Sequence, residues 1–544
     1  MNVVELFDRA ASRVPAKPAL IAGKSITFSE LQSRSRRIAS GLRDTGIEPG
    51  DRVIVMVPMS TELYAVLMGV LRLGAVAVFV DPWIGARQLA AFSAYAEPKA
   101  WIGTPKSHAL RLFDRRLRRL PVTVTTGAAW TAKHSLARLA ASNGEIATWS
   151  ASVDDPALIT FTSGSSGTPK GADRTHGFLA AQHRVLSRTF PLIDDDVELT
   201  TFPVFALNNL ALGITTVVPT IDLRRVHRAD GEALRDQIET HGVTTVTTSP
   251  SVVDRLAACS LPPRLRRLLT GGAPVSDAQL RRWQRAFPEA EIVIAYGSTE
   301  AEPVAHITAE QRLEQTGQGT CAGRLAPEID ARLIPIHESV DTDLLPGERY
   351  IGELVVAGEH VCRGYFRNPE AVAKNKIVDE DGRIWHRLGD TGYFDDDGRF
   401  WLVGRVHSTV VRDGELLHAQ LIEQAAKNND PHIRRAALVG MQDSLLDERA
   451  VVVIERTVDG PRDASLAVGV AARLDTAGFP FDRIVVTRRE LPLDPRHRSK
   501  IDYRQLRSRL MGGFGRGLTP CDIQRARERR VPALRVFRSL GKAS

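Results

Sequence analysis

At 544 residues, with 43% hydrophobic and 25% charged side chains, the chain is too long for one hydrophobic core and should divide into a few domains of ordinary soluble composition. Of the net charge of +8, +6 falls in the tail after Gly512, where eight basic residues meet two acidic ones; residues 1–512 carry only +2, which argues against a nucleic-acid-binding body. Four widely spaced cysteines (Cys259, Cys321, Cys362, Cys521) suggest neither a zinc site nor a disulfide framework, and they fit a reducing cytoplasm.

The start, "MNVVELFDRAASR", carries acids early and lacks a continuous apolar stretch, so it predicts no signal peptide. The longest apolar run, Ala65 to Val80, is interrupted by Arg72 and is short for a bilayer span. Around it strand and helix patterns alternate: "DRVIVMV" from Asp51, the helical "TELYAVLMGVLRLG" from Thr61, "AVAVFV" from Ala75, a helical stretch from Ala86, then "KAWIG". Short Val/Ile runs, each followed by ten or so residues of helical period, predict parallel βαβ units in a layered α/β architecture. "VELTTFPV" from Val197, "VTTVTTSP" from Val243 and "EIVIAYG" from Glu291 read as further buried strands, at whose carboxyl ends ligands collect. From about Gly352 the strands shorten. Asp397-Gly398 and Asp413-Gly414 bracket "RFWLVGRVHSTVVR" as hairpin turns do.

Chemistry-bearing residues sit at the ends of these elements. "FTSGSSGTPKGADRTH", Phe161 to His176, packs glycines, hydroxyls and a lysine behind an apolar strand, as a phosphate chain requires. Pro169 before Lys170 and Gly171 after it exclude a Walker loop. "LLTGGAPVS" runs a strand into Gly271, Gly272 and Ala273, where backbone can approach a flat ligand. "AYGSTE" follows Tyr296, able to stack on a base, with Gly297, Ser298, Thr299 and Glu300, whose carboxylate suits Mg²⁺. In "HRLGDTGYF", Asp390 is placed to accept from two ribose hydroxyls, and Lys500 lies in the basic run "LDPRHRSKIDY". "FPVFALNN" offers Phe202, Phe205 and Asn208 to a hydrocarbon chain, and His176 and His183 are candidates for the same wall. "MQDSLL" is set aside as a carrier-type serine motif because the preceding Gly is missing, and Asp395 to Asp397 read as turn residues, not a calcium loop.

Together and in this order, these segments resemble the adenylate-forming superfamily of acyl-CoA ligases, luciferases and peptide-synthetase adenylation domains, from about Ser25 to about Gln505. "FTSGSSGTPKG" resembles its phosphate loop, "YGSTE" its adenine and Mg²⁺ motif, "RLGD" its ribose aspartate, and Gly404-Arg405 the entrance to its hinge; Lys500 falls at its adenylation lysine. The hinge region departs from the family's pattern: His407 stands at the acidic position and Val411 at the lysine position, and only Glu423 matches. "TTFPVFALNNLALGITTVVP", "VDPWIGARQL", "WIGTPKSH", "GTCAGRLAPE" and "RHRSKI" look like the versions of one branch, the olefin β-lactone synthetases.

The resemblance implies an α/β fold: a large layered N-terminal α/β domain at residues 1–403, a hinge at 404–407, a smaller mobile α+β C-terminal domain at 408–512, and a basic tail at 513–544. It implies ATP and Mg²⁺ as cofactors. Thr162, Ser163, Gly164, Ser165, Ser166, Gly167, Thr168 and Lys170 would hold phosphates. The Gly271 and Tyr296 turns would hold adenine, with Asp390 and Arg405 completing the nucleotide site. Glu300 would be the metal ligand and Lys500, Glu300 and Lys170 the catalytic set. The expected reaction is activation of a fatty acid, 3-hydroxylated in that branch, to acyl-AMP, then closure to a β-lactone. Transfer to CoA is the alternative, and a non-catalytic homologue the third reading. The expected partner is a small fatty-acid substrate, with no nucleic acid and no membrane span; the tail is a solvated appendage or a peripheral membrane or protein contact.

Overall fold

The computed structural model describes the chain except residues 81–85, 145, 163–169, 223–225, 261–262, 337–349, 462, 494–499, 514–516, 520–521 and 523–544. The chain divides into two compact units: one of Met1–Gln315, Ala322–Arg332 and Val355–Leu388, the other of Thr316–Cys321, Leu333–Leu354 and Gly389–Ser544.

The first unit is a layered α/β body. One sheet runs His134–Ser135, Val122–Thr125, Ala100–Gly103, Arg52–Met56, Val76–Val80, Pro156–Thr162, Lys170–Thr175, parallel throughout except for the last hairpin. A second set of neighbours runs Lys24–Thr27, Pro18–Ala22, Thr215–Val217, Val197–Thr200, Thr245–Thr248, Arg267–Gly271, Glu291–Ser298, Ala301–Thr308. From Pro18–Ala22 to Glu291–Ser298 these too are parallel, because helical crossovers return the chain to the same end each time. The alternation expected from the sequence is therefore present, with one shortening. The strand in "VELTTFPV" stops at Thr200, since Pro203 occupies the first turn of helix Pro203–Leu212, where its missing N–H costs nothing.

Helix Thr61–Arg72 is buried from Leu63 to Arg72. Arg72 closes it with a side chain 1% exposed, and its guanidinium reaches both oxygens of Asp8 at 2.8 and 2.7 Å and the Thr148 hydroxyl at 2.5 Å. A buried guanidinium is tolerable only when so paired, and this pairing anchors helix Val4–Arg13. Among the described residues no helix is long and apolar enough to cross a membrane.

In the second unit, strands Ile433–Gln442, Glu448–Arg456, Arg483–Thr487 and Gly517–Leu518 form a sheet with antiparallel, parallel and antiparallel pairings. Helices Ala419–Lys427 and Asp463–Thr476 share one core with it, and helix Tyr503–Met511 packs with Leu491 in another. Both expected hairpins form. Asp397-Gly398 joins the strand ending at Phe394 to Arg399–Arg405; Asp413 (φ 52°) and Gly414 (φ 74°) join Val410–Arg412 to Glu415–Leu417, the positive φ pair that a two-residue hairpin turn demands.

Helix Ala419–Lys427 carries Glu423, whose Oε1 accepts from the Tyr503 hydroxyl at 2.6 Å and the Leu438 N–H at 2.9 Å. Burial nevertheless pushes the Glu423 carboxyl up to about 7. Because this folded-state value lies above the unfolded one of 4.5, the folded chain holds an extra proton between the two; that contribution is complete below about pH 4.5 and lost as pH rises through about 7. Glu423→Gln keeps both acceptor contacts without the titration. It should stabilise the chain at pH 8 relative to the parent by on the order of 1–3 kcal/mol more than at pH 4.5. Urea unfolding at the two pH values checks this; an equal difference at both would count against it.

Candidate active site

Strands Pro156–Thr162 and Lys170–Thr175 pair antiparallel, setting Thr162 opposite Lys170 and Phe161 opposite Gly171 at the mouth of the glycine-rich segment. Ser163, Gly164, Ser165, Ser166, Gly167 and Thr168 lie outside the described residues. Strand alternation puts Lys170, Ala172 and Arg174 on one face. Ala172 bridges to Tyr365, and the half-buried Lys170 ammonium lies 3.3 Å from Asn375 Oδ1 and 5.7 Å from the Tyr365 ring centroid. Burial lowers the Lys170 pKa, against the attraction of Glu300.

The "YGSTE" segment is the hairpin between Glu291–Ser298 and Ala301–Thr308, with Tyr296 opposite Ala305. Gly297 is required there, because a Cβ would come within 2.8 Å of the Ala301 carbonyl oxygen. The turn is gripped on every side. Arg174 donates to the Thr299 carbonyl at 2.6 Å, the Cys362 N–H to that of Glu300 at 2.7 Å, and Gln182 to that of Glu302 at 3.2 Å. Tyr365 donates to Glu300 Oε1 at 2.9 Å. Burial works to raise the Glu300 carboxyl, but His386 when protonated, the Tyr365 hydroxyl and Lys376 outweigh it and hold the group below its ordinary range.

Lys376 is buried, donates to the Cys362 carbonyl and stands 5.4 Å from the Tyr365 ring centroid. His386, 3.2 Å from the Asn375 carbonyl, is pushed down to about 4 by burial and Lys376 and is neutral at pH 7. Tyr365, Asn375, Lys376 and His386 were not singled out in the sequence; His386 stands inside the quoted "HRLGD" but only its aspartate carried a signal. Among the described residues no cluster of three or more His, Cys, Asp or Glu could hold a metal by itself. A single oriented, ionised carboxylate does fit Mg²⁺, which takes one or two carboxylates and fills its shell with water and phosphate oxygens. The buried Ser298 hydroxyl, without a partner among the described residues, is a further oxygen in this turn.

Gly271 pairs with Ala295 at adjoining strand ends, so Gly272 and Ala273 continue beside the Tyr296 turn. A Cβ on Gly271 would meet the Ala295 carbonyl at 2.7 Å, and Gly272 takes φ +78°.

Helix Pro203–Leu212 divides the hydrocarbon candidates. Phe205 is buried with Leu186, Phe190, Leu269 and Val293, and Phe202 packs on that cluster. Val204, Leu207, Asn208 and Ala211, at i, i+3, i+4 and i+7, line an apolar cleft with Leu6, Phe7, Met68 and Leu179, and Val204 also packs on the Phe205 cluster. Its polar edge is His183 Nδ1, 2.8 Å from Asn208 Oδ1. His176 does not line this cleft: it is 1% exposed, and its Nδ1 accepts the Val3 N–H at 3.1 Å.

In the second unit, Asp390 faces Arg405 across an antiparallel pair, with the Arg405 Nε 2.9 Å from Asp390 Oδ1. His407 packs edge-on against the Tyr503 ring, centroids 6.3 Å apart, and burial lowers its pKa. Lys500 is half-buried and precedes helix Tyr503–Met511.

The AMP-binding enzyme family matches residues 7–366. The chain is 34% identical to an olefin beta-lactone synthetase of Stenotrophomonas maltophilia over 529 residues, covering 92% of this chain and 94% of that one. It is 29% identical to 4-coumarate–CoA ligase 3 of Oryza sativa subsp. japonica, covering 84% and 83%. Among solved structures, an amide bond synthetase from Marinactinospora thermotolerans superposes with a TM-score of 0.78 at 23% identity, over 93% of this chain and 99% of that one, which supports the same fold. The chain belongs to the AMP-binding enzyme family and is an adenylate-forming ligase.

Proposed function

We propose that the protein activates a medium or long 3-hydroxy fatty acid with ATP and closes it to a β-lactone. The carboxylate attacks the α-phosphate, giving acyl-AMP and pyrophosphate; the 3-hydroxyl oxygen then attacks the acyl carbon, AMP leaves, and the hydroxyl proton passes to solvent. The observation that carries this reading is the 34% identity to a chain named olefin beta-lactone synthetase, spread over 92% of this chain. The hinge substitutions support it, since His407 and Val411 stand where a thioester-forming ligase has an acid and a lysine. Transfer to CoA is the second reading, favoured by the resemblance to 4-coumarate–CoA ligase 3.

In this reading Thr162 to Thr168 and Lys170 hold the phosphates, the Gly271–Ala273 and Tyr296–Thr299 turns the adenine, and Asp390 the ribose, with Arg405 beside it. Glu300 would hold Mg²⁺, which offsets phosphate charge when bound. Residues 404–407 act as a hinge between domains at 1–403 and 408–512, so that Lys500 serves only the first step. The hydrocarbon lies along helix Pro203–Leu212, with Asn208 at its polar edge; Phe202 and Phe205 back this helix from the core, and His176 supports the adjoining helix.

Three outcomes follow. With 3-hydroxy acid and ATP but no CoA, AMP release should continue beyond one turnover; strict CoA dependence would reject lactone closure. Leu207→Trp should shift the accepted acid towards shorter chains while Phe205→Trp lowers thermal stability, and the reverse pattern in a chain-length series would move the pocket to the other helix face. Lys500→Ala should slow pyrophosphate exchange by a factor on the order of 10² to 10³, the usual cost of losing one preorganised donor, yet leave product formation from preformed acyl-AMP largely intact. Equal loss in both assays would make Lys500 a structural charge.

A further inference from the structure

We infer that the sheet edge built from residues 104–141 is a docking surface for the headgroup region of an anionic lipid bilayer. This goes beyond the catalytic reading and does not depend on it. The stretch holds eight basic residues (Lys106, Arg111, Arg115, Arg116, Arg118, Arg119, Lys133, Arg138) and one acid, Asp114, a net of +7 in a chain whose total is +8. It also carries three large apolar side chains turned to solvent: Leu112 at 63% exposure, Phe113 at 72% and Trp130 at 88%.

The fold brings these together. Leu117 and Leu120, at i and i+3, are buried in the core beside Ile54, Val76 and Trp101, which turns Arg115, Arg116, Arg118 and Arg119 outward. Asp114 is committed to the helix start, where its Oδ1 accepts the N–H groups of Arg116 and Leu117, both at 2.9 Å. Among the described residues none of Arg115, Arg116, Arg118 and Arg119 forms an ion pair; the Arg116 guanidinium exerts a charge attraction on Glu97 without pairing with it. The Arg111 guanidinium donates to the Thr131 carbonyl at 3.5 Å, and the Thr131 hydroxyl lies 2.8 Å from the Ala128 carbonyl and 3.0 Å from Thr125 Oγ1. The turn bearing Trp130 is thereby held beside the turn bearing Leu112 and Phe113.

Exposed aromatic and aliphatic groups interleaved with unpaired arginines are what a bilayer interface rewards: the guanidiniums meet lipid phosphates while the apolar side chains enter the boundary layer. Arginines with Trp and Phe would also serve a single-stranded nucleic acid, but Leu112 gives a base nothing to stack on.

The test is co-sedimentation of the full chain with phosphatidylglycerol/phosphatidylcholine vesicles and with pure phosphatidylcholine vesicles. The parent should bind the anionic vesicles preferentially and release as salt rises. Replacing Arg115, Arg116, Arg118 and Arg119 by Gln should weaken that binding roughly 100-fold or more. Phe113→Ser with Trp130→Ser should weaken it about 10-fold. Pyrophosphate exchange with a soluble acid, unchanged in both variants, certifies the fold; if the four-Gln chain fails that control, the Ser pair decides. Anionic-vesicle binding equal to the parent's in a folded variant would overturn the proposal, as would a parent that ignores anionic vesicles. Loss of oligonucleotide binding with vesicle binding unchanged would also overturn it.

Discussion

The hydrogen bond from Arg174 to the Thr299 carbonyl joins the strand that follows the glycine-rich segment to the hairpin that carries Glu300. Arg174 is 6% exposed, and a guanidinium so deeply placed can be kept only if its environment supplies acceptors and opposing charge. Burial lowers its pKa, and the Glu302 carboxyl opposes that shift. Since the cost of misplacing such a group is high, the two backbones can be set in few ways. Lys170, four residues earlier on the same strand face, inherits this placement, and so does its reach to Asn375.

Around that bond the first unit sorts its charges by what each can lose to burial. Lys170 and Lys376 keep partial compensation from Glu300, whereas at His386 burial and the nearby Lys376 outweigh the pull of Glu300 and the ring gives up its proton. The result is one ionised carboxylate near two ammonium groups and a neutral imidazole. Such a set suits chemistry in which phosphate charge must be met without the protein reorganising at the moment of reaction. The second unit uses a different device. Asp390 is ionically paired to Arg405, while Glu423 is held through hydrogen bonds from Tyr503 and a backbone N–H. Tyr503 in turn takes the edge of His407, so the segment following Lys500 and the expected hinge position meet on one ring.

Net charge proved a poor guide to where charge acts. The +2 over residues 1–512 conceals the +7 between residues 104 and 141. An average over a long chain cancels what the fold concentrates on one edge, and it is local density within a screening length that a charged surface feels.

From the sequence alone, the alternation of strands and helices, both Asp-Gly hairpins, the glycine-rich segment before Lys170 and the Tyr296 turn were legible. Each rests on periodicity or on a backbone need that neighbouring residues express by themselves. Tertiary structure alone decided the partners of these residues. Asn375 meets Lys170 across 205 positions, and Tyr365 meets Glu300 across 65. No local pattern marks such pairs, because only the packing of separate elements brings them within hydrogen-bonding distance. The same holds for helix Pro203–Leu212, almost wholly apolar around its circumference: its sequence predicts burial but not which side meets the core through Phe205 and which meets the cleft through Leu207, since that choice belongs to the surfaces packed against it.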